Sequence, residues 1–279
     1  MPSTAKNFNN INLLSEENVK KNILPQYDLA NADISQIKFK DTDKQRAVYK
    51  VQYFDECYCL KKVYYSIKDL LFVYSAIEWL YRNNIHVPRI LKTKNNSRFV
   101  NYNNMLFILT PWINGIKCDY DNIDHILVCS TNLANMHKVS INFKPINGSS
   151  LKQDYSPLGP SMYKHYESLL NFSNLAYKYD DAFSKLYLKH FETSSKLAKY
   201  SSNIAYDLNL NNLTKSLCHL DYVNKNIIFD TNNEIWVIDF DKCRNDYCAH
   251  DISYSLRRLL KRDSTKWDLE QIGRAHVWT

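Results

Sequence analysis

The stretch Leu217–Cys243 reads LCHLDYVNKNIIFDTNNEIWVIDFDKC. A short polar loop, His219 to Asn226, leads into the apolar run Ile227-Ile228-Phe229. The turn Asp230-Thr231-Asn232-Asn233 follows, and then Ile235-Trp236-Val237-Ile238. Two β-prone runs around an Asn-rich turn predict a β-hairpin. Antiparallel pairing brings Asn226, just before the first strand, next to Asp239, just after the second. Both then converge beside the loop that carries Asp221, with Asp241 following closely. Carboxylates and an amide oxygen at one hairpin end form a hard-oxygen cluster of the kind that suits Mg²⁺. Asp221 remains free to accept a proton from a hydroxyl nucleophile. A single Asp or Asn here would read as an ordinary turn former. The combination H-x-D-x-x-x-x-N, hairpin, I-D-F-D is far more specific.

At these residues the chain resembles the kinase-like phosphotransferases. The nearest branch is the aminoglycoside and choline kinase group, with its H-G-D-x-x-x-x-N and I-D-[FW]-[DE] motifs; protein kinases carry a related catalytic loop and D-F-G. The resemblance implies an α+β, two-lobed protein-kinase-like fold with a small β-rich N-lobe and a larger, mainly helical C-lobe. It also implies Asp221 as catalytic base, Asn226 and Asp239 as Mg²⁺ ligands, and ATP as phosphoryl donor. Leu220 departs from the pattern, standing where this group usually has Gly.

Working back toward the N-terminus, strands are predicted at 37–39, 46–53 and 58–63, from β-branched and aromatic alternation between polar turns. The third carries Lys61, which the resemblance makes the lysine that holds nucleotide phosphates. Lys62 is adjacent, and a one-residue slip would turn the other side chain to that face. A helix is predicted over 67–83 from the spacing of Leu70, Leu71, Tyr74, Ile77, Leu80 and Tyr81. Glu78 on that helix is the candidate partner of Lys61, against the alternative of a solvated helix glutamate. Strands over 97–102 and 105–110 follow, the second running into LTPWINGI. In the resembling fold this is the hinge, where adenine would bond near Thr110 and Trp112. Pro111 removes one N–H donor there.

A first helix is expected before Pro25, with Leu13, Leu14, Val19, Ile23 and Leu24 as its apolar face. On the other side of the hinge, residues 121–138 read as a helix containing LANMH. His137 there is read as a core residue of the helix behind the catalytic loop. Helices near 162–171 and 182–205 precede the deciding stretch. Asp251, opening the helix HDISYSLRRLLKR, reads as a cap or first-turn acid; in the resembling group an Asp here braces the catalytic loop.

Composition narrows the class further. The 279 residues are 45% hydrophobic, ample for one two-lobed domain. The net charge of +7 is spread along the chain, so a nucleic-acid surface is not expected. The seven cysteines are odd in number, and their spacings match no zinc or disulfide framework. They read as small buried side chains in a reducing compartment. No apolar run approaches membrane-helix length, and MPSTAKNFNN carries no hydrophobic signal core.

The blocks YSAIEWLYRNNIHVPRILKT, LFILTPWING, LANMHKVS and SLCHLDYVNKNIIF resemble the CotS-type spore coat proteins, a kinase-like family of spore-forming bacteria. That resemblance implies a protein of the sporulating cell's cytoplasm that passes to the spore coat. The expected division is a helical extension over 1–33, an N-lobe over 34–114, a C-lobe over 115–270, and a non-native tail over 271–279. The tail, QIGRAHVWT, resembles translated sequencing adaptor, so a longer natural protein is expected. The turn from Asp41 to Arg46 has no glycine to let backbone N–H groups approach phosphates closely. Two functions therefore stand side by side. One is an ATP- and Mg²⁺-dependent kinase of a small hydroxylated molecule. The other is a catalytically weak kinase-like scaffold that contacts other coat proteins.

Overall fold

The computed structural model describes residues 13–40 and 45–260. The glycine-free turn at Asp41–Lys44 and the tail at 271–279 lie outside the described residues.

The short helix α1 (Glu16–Asn22) is capped by Ser15, whose side chain accepts from the Asn18 N–H. A 3-10 turn over Leu24–Tyr27 follows, with Pro25 in its first positions, where its missing N–H costs nothing. Then come β1 (Asp33–Lys40), β2 (Arg46–Tyr53), β3 (Glu56–Val63), α2 (Ile67–Arg82), β4 (Val100–Tyr102) and β5 (Met105–Pro111). The five strands form one antiparallel sheet in the order β1-β2-β3-β5-β4. The β4–β5 turn is made by Asn103 and Asn104 at φ 48° and 60°, left-handed positions that Asn tolerates.

Strand alternation explains the layering. Ala47, Tyr49, Val51, Leu60, Phe107 and Leu109 share one apolar cluster with Leu14, Val19, Ile23 and Leu24. The N-terminal segment thus covers one face of the sheet. Tyr49 is fully buried, and its hydroxyl donates to the Leu14 carbonyl at 2.5 Å. The second cluster joins Phe72, Val73, Ala76 and Leu80 of α2 to Leu217, Ile227, Phe229, Val237 and Phe240 of the deciding stretch.

Past the hinge come β6 (Ile116–Lys117), α3 (Ile123–Val139), α4 (Leu158–Tyr179), α5 (Ala182–Asp207), β7 (Lys215–Cys218), β8 (Ile227–Phe229), β9 (Ile235–Val237), β10 (Arg244–Tyr247) and α6 (Cys248–Leu260). The predicted hairpin is present. Ile227 pairs with Val237, Ile228 with Trp236 and Phe229 with Ile235. Its turn is shaped by Asp230, whose Oδ1 accepts from the Asn232 and Glu234 N–H groups at 2.9 Å. β6 joins β8 on its other edge, and β10 pairs with β7. Sequence reading missed β6, β7 and β10, which are two to four residues long and mostly polar.

By contacts the chain forms two compact units, Met1–Gln153 with Lys215–Thr279, and Asp154–Thr214. The second is an antiparallel pair of long helices, α4 and α5, joined at Asp180 in the left-handed region (φ 50°). Asp181 caps α5 by accepting from the Ser184 N–H at 2.7 Å. Inside this unit Gly159 faces the Tyr206 ring so closely that a Cβ would stand 2.7 Å from it. Among the described residues no helix is long and apolar enough to cross a membrane.

Candidate active site

The hairpin delivers its two ends as expected. The Ile238 N–H donates to the Asn226 carbonyl at 2.9 Å, so the residues on either side of the strands are bound to each other. Asn226 is buried, and its side-chain N–H donates to the Asp221 carbonyl at 2.9 Å. That bond commits the amide nitrogen and leaves Oδ1 as the acceptor. Asp239 sits in the left-handed region at φ 68°.

Asp221 is buried to 6% exposure, with three donors about its carboxylate. Lys242 lies 3.3 Å away, Lys225 3.6 Å away, and the Tyr254 hydroxyl donates at 3.1 Å. Burial would raise the Asp221 pKa, but the Lys242 and Lys225 ammonium groups outweigh it and keep the carboxyl below its usual range. Asp221 is therefore ionised at neutral pH, as an acceptor of a hydroxyl proton must be.

The loop that presents Asp221 is built around a histidine and a second acid. His219 Nδ1 accepts from the Asp221 N–H at 3.2 Å, and its Nε2 lies 3.1 Å from the Ile238 carbonyl. Only the neutral tautomer with its proton on Nε2 satisfies both bonds. Burial pushes the His219 pKa down, in accord with that form. Asp251, fully buried, accepts from the His219 N–H at 2.7 Å and from the Leu220 N–H at 2.5 Å. It therefore braces the loop. Leu220 adopts φ 58°, a left-handed backbone that costs a branched side chain roughly 1–2 kcal/mol. The backbone conformation that favours Gly at this position is thus kept, and Asp251 holds Leu220 in it.

On the sheet side, Lys61 is the residue that reaches the acids. Its Nζ lies 2.6 Å from Asp239 Oδ1 and 2.7 Å from Asp241 Oδ1. Burial alone would lower its pKa, but Asp241 and Asp239 together raise it. Lys62 turns to the other face and donates to the Gln45 carbonyl at 2.8 Å, which settles the register.

Glu78 requires a correction. It does not pair with Lys61. Both its oxygens accept from Arg89, at 2.9 and 2.7 Å, in a bidentate fork. The physical reason is competition at each end. Arg89 matches a carboxylate with two parallel N–H bonds, while Lys61 finds two carboxylates of its own. At the hinge, the Trp112 N–H is committed to the Cys57 carbonyl at 2.9 Å, and Thr110 is paired with Cys59 in the sheet. With Pro111 lacking an N–H, the donors there are fewer than the sequence suggested.

Asp241 is the residue that the sequence places just past the hairpin but to which it assigns no role. It is 7% exposed, and its Oδ2 has no hydrogen bond among the described residues, the Arg46 Nη1 standing 3.7 Å away. The signal was its place in I-D-F-D, two positions beyond Asp239. The donor set of Asn226 Oδ1, Asp239 and the unbonded Asp241 oxygen fits a hard divalent cation. A cavity of about 650 Å³ opens beside Asp241 and Leu220, with Lys152, Lys242, Tyr254 and Arg257 on its wall.

This sheet, hairpin and loop define the fold class of the kinase-like small-molecule phosphotransferases. The chain belongs to the phosphotransferase enzyme family, whose model matches residues 36–278. Solved structures share the fold. An aminoglycoside phosphotransferase from Alicyclobacillus acidocaldarius superposes with a TM-score of 0.69 at 18% identity, covering 91% of this chain and 75% of that one. Amicoumacin kinase hAmiN, solved in complex with AMP-PNP, Ca²⁺ and Ami, gives 0.67 at 15% identity over 97% and 78%. Spectinomycin phosphotransferase APH(9)-Ia, solved with ADP and spectinomycin, gives 0.62 at 18% over 91% and 74%.

Proposed function

We propose that this protein is an ATP- and Mg²⁺-dependent phosphotransferase acting on a hydroxyl of a small molecule. The observation that carries the reading is that the β8–β9 hairpin brings Asn226 beside Asp239, with Asp221 and Asp241 in the adjoining segments. Mg²⁺ in such a site supplies charge neutralisation of the phosphates. Asn226 Oδ1, Asp239 and Asp241 are the residues that would hold it. Asp221, kept ionised by Lys242 and Lys225, orients the substrate hydroxyl and accepts its proton late. Lys61 holds a buried positive charge against the acids, a charge that also suits phosphate oxygens. The lysines and arginine along the cavity wall support an anionic group on the ligand.

A second reading is supported by separate observations. The sequence blocks shared with CotS-type coat proteins favour a kinase-like coat component, made in the cytoplasm of the sporulating cell and carried to the coat. Its partners would be other coat proteins, with neither nucleic acid nor membrane involved. The occupied hinge donor at Trp112 and the strained Leu220 favour weak nucleotide use.

Nucleotide-dependent thermal shift separates the two. At 100 times the dissociation constant a ligand adds about 2.7 kcal/mol to stability. Mg²⁺-ATP at millimolar concentration should raise the melting temperature, and Asp239→Asn should abolish the Mg²⁺-dependent part. A wild-type protein that ignores Mg²⁺-ATP supports the scaffold.

A further inference from the structure

A second cluster of ligating side chains lies apart from the nucleotide side. His137 is near the C-terminal end of α3, Cys218 closes β7, and Cys248 opens α6. All three are buried, and their ligand atoms lie within 4.8 Å of one another. We propose that His137, Cys218 and Cys248 form a binding site for a soft or borderline transition-metal cation, with Zn²⁺ as the type ion.

The donor set argues first. Two thiolates and an imidazole suit Zn²⁺ or Cu⁺ and disfavour Mg²⁺ or Ca²⁺, which take oxygen. Charge argues next. Two thiolates and a neutral imidazole around a divalent ion sum to zero, so the loaded site adds no net charge to a buried place. Binding a divalent cation to two thiols and a neutral imidazole displaces both thiol protons, and both leave to solvent.

The surroundings supply support beyond the ligands. Asp251 Oδ2 stands 3.0 Å from His137 Nε2 and keeps its bonds to the His219 and Leu220 N–H groups. The other close pair of thiols, Cys118 and Cys129 at 3.5 Å, has no third ligand of this kind among the described residues. No linear spacing announces the site, because its three ligands come from three elements far apart in sequence. The argument is independent of the phosphotransferase reading.

The test uses the full chain purified under reductant, stripped with chelator and titrated with Co²⁺ as a spectroscopic stand-in for Zn²⁺. Thiolate-to-metal charge-transfer absorption with tetrahedral ligand-field bands, saturating at about one equivalent per chain, is expected. Zn²⁺ should bleach those bands by displacing Co²⁺, and Zn²⁺ added to the metal-free protein should release protons. Cys248→Ser and Cys218→Ser should each lose the bands, while the double variant Cys57→Ser, Cys59→Ser should keep them. Wild-type protein that shows no thiolate bands overturns the proposal, whatever the variants do. So does an unchanged spectrum in a folded Cys248→Ser protein. A Cys218–Cys248 disulfide that, once reduced, still takes up no metal overturns it in favour of a redox pair.

Discussion

Two buried acids, Asp251 and Asp241, are satisfied in opposite ways. Asp251 is wholly inside and gives its oxygens to two backbone N–H groups and to His137. Asp241 gives one oxygen to the Lys61 ammonium and leaves the other without a hydrogen bond. A carboxylate whose lone pairs are spent inside the fold fixes a shape. One with an oxygen in hand beside a cleft keeps charge for a ligand. The first kind should be expensive to remove and irrelevant to Mg²⁺, and the second kind the reverse.

The sharpest way to break that contrast is Asp251→Ala. Two backbone donors and His137 lose their acceptor together, and the expected loss is roughly 3–5 kcal/mol of folding stability by urea titration. A change below about 1 kcal/mol would place Asp251 among the dispensable acids.

Asp221→Ala comes next. Turnover should fall by roughly two to four orders of magnitude while Mg²⁺-ATP thermal shift survives. Near-normal turnover in that variant would remove Asp221 from the base role.

Asp241→Asn is the direct counterpart of the first variant. Lys61 keeps Asp239, so stability should change by about 1 kcal/mol or less. The Mg²⁺-dependent shift should nonetheless be lost. A loss of stability as large as that of Asp251→Ala would erase the distinction.

Leu220→Gly should relieve the left-handed strain and raise stability by roughly 1 kcal/mol, read from the urea midpoint. A destabilised Gly variant would mean that the leucine side chain outweighs its backbone.

The smallest effect is on pH dependence. His219 has a lowered folded pKa, so its unfolded form binds more protons once the pH falls below about 6.5. Its contribution is present above that value and fades as the pH drops through it. Asp239 and Asp251 also have lowered values, so theirs is present above about 4 and fades below. Denaturation midpoints should therefore decline in two stages on acidification. Stability that stays flat from pH 7 to 5 would contradict the neutral His219.

The end of the hairpin that gathers Asn226 and Asp239 was legible because its geometry is local. Asn226 and Asp239 are brought together by three-residue strands and one turn, and a hairpin can be read from a short window. The nucleotide side was less so. Lys61 meets Asp239 across 178 positions, and no window contains both. Strand alternation put Lys61 on a plausible face, yet only the fold shows which acids lie opposite. Glu78 failed for a nearer reason. Arg89 stands 11 residues on, and its bidentate geometry outcompetes a lysine that already has two partners. The His137, Cys218 and Cys248 cluster was invisible for the first reason, multiplied by three elements.

Gly115 decides how closely the linker can lie against the hairpin. A Cβ there would stand 2.1 Å from the Phe229 carbonyl oxygen, so the linker lies flush against the hairpin. Immediately beyond it Ile116 and Lys117 pair with Phe229 and Ile228, and the Cys118 N–H donates to Ile227. The linker is thus fastened along its far half to the strand that follows the His219–Asn226 loop. Upstream, the Trp112 N–H fastens it to the first sheet. Between the two anchorages lie Ile113 and Asn114. The hairpin is tied to the other side as well, since the Val237 N–H donates to the His86 carbonyl at 3.0 Å and Lys61 bridges Asp239 and Asp241, so linker and hairpin are held as one piece.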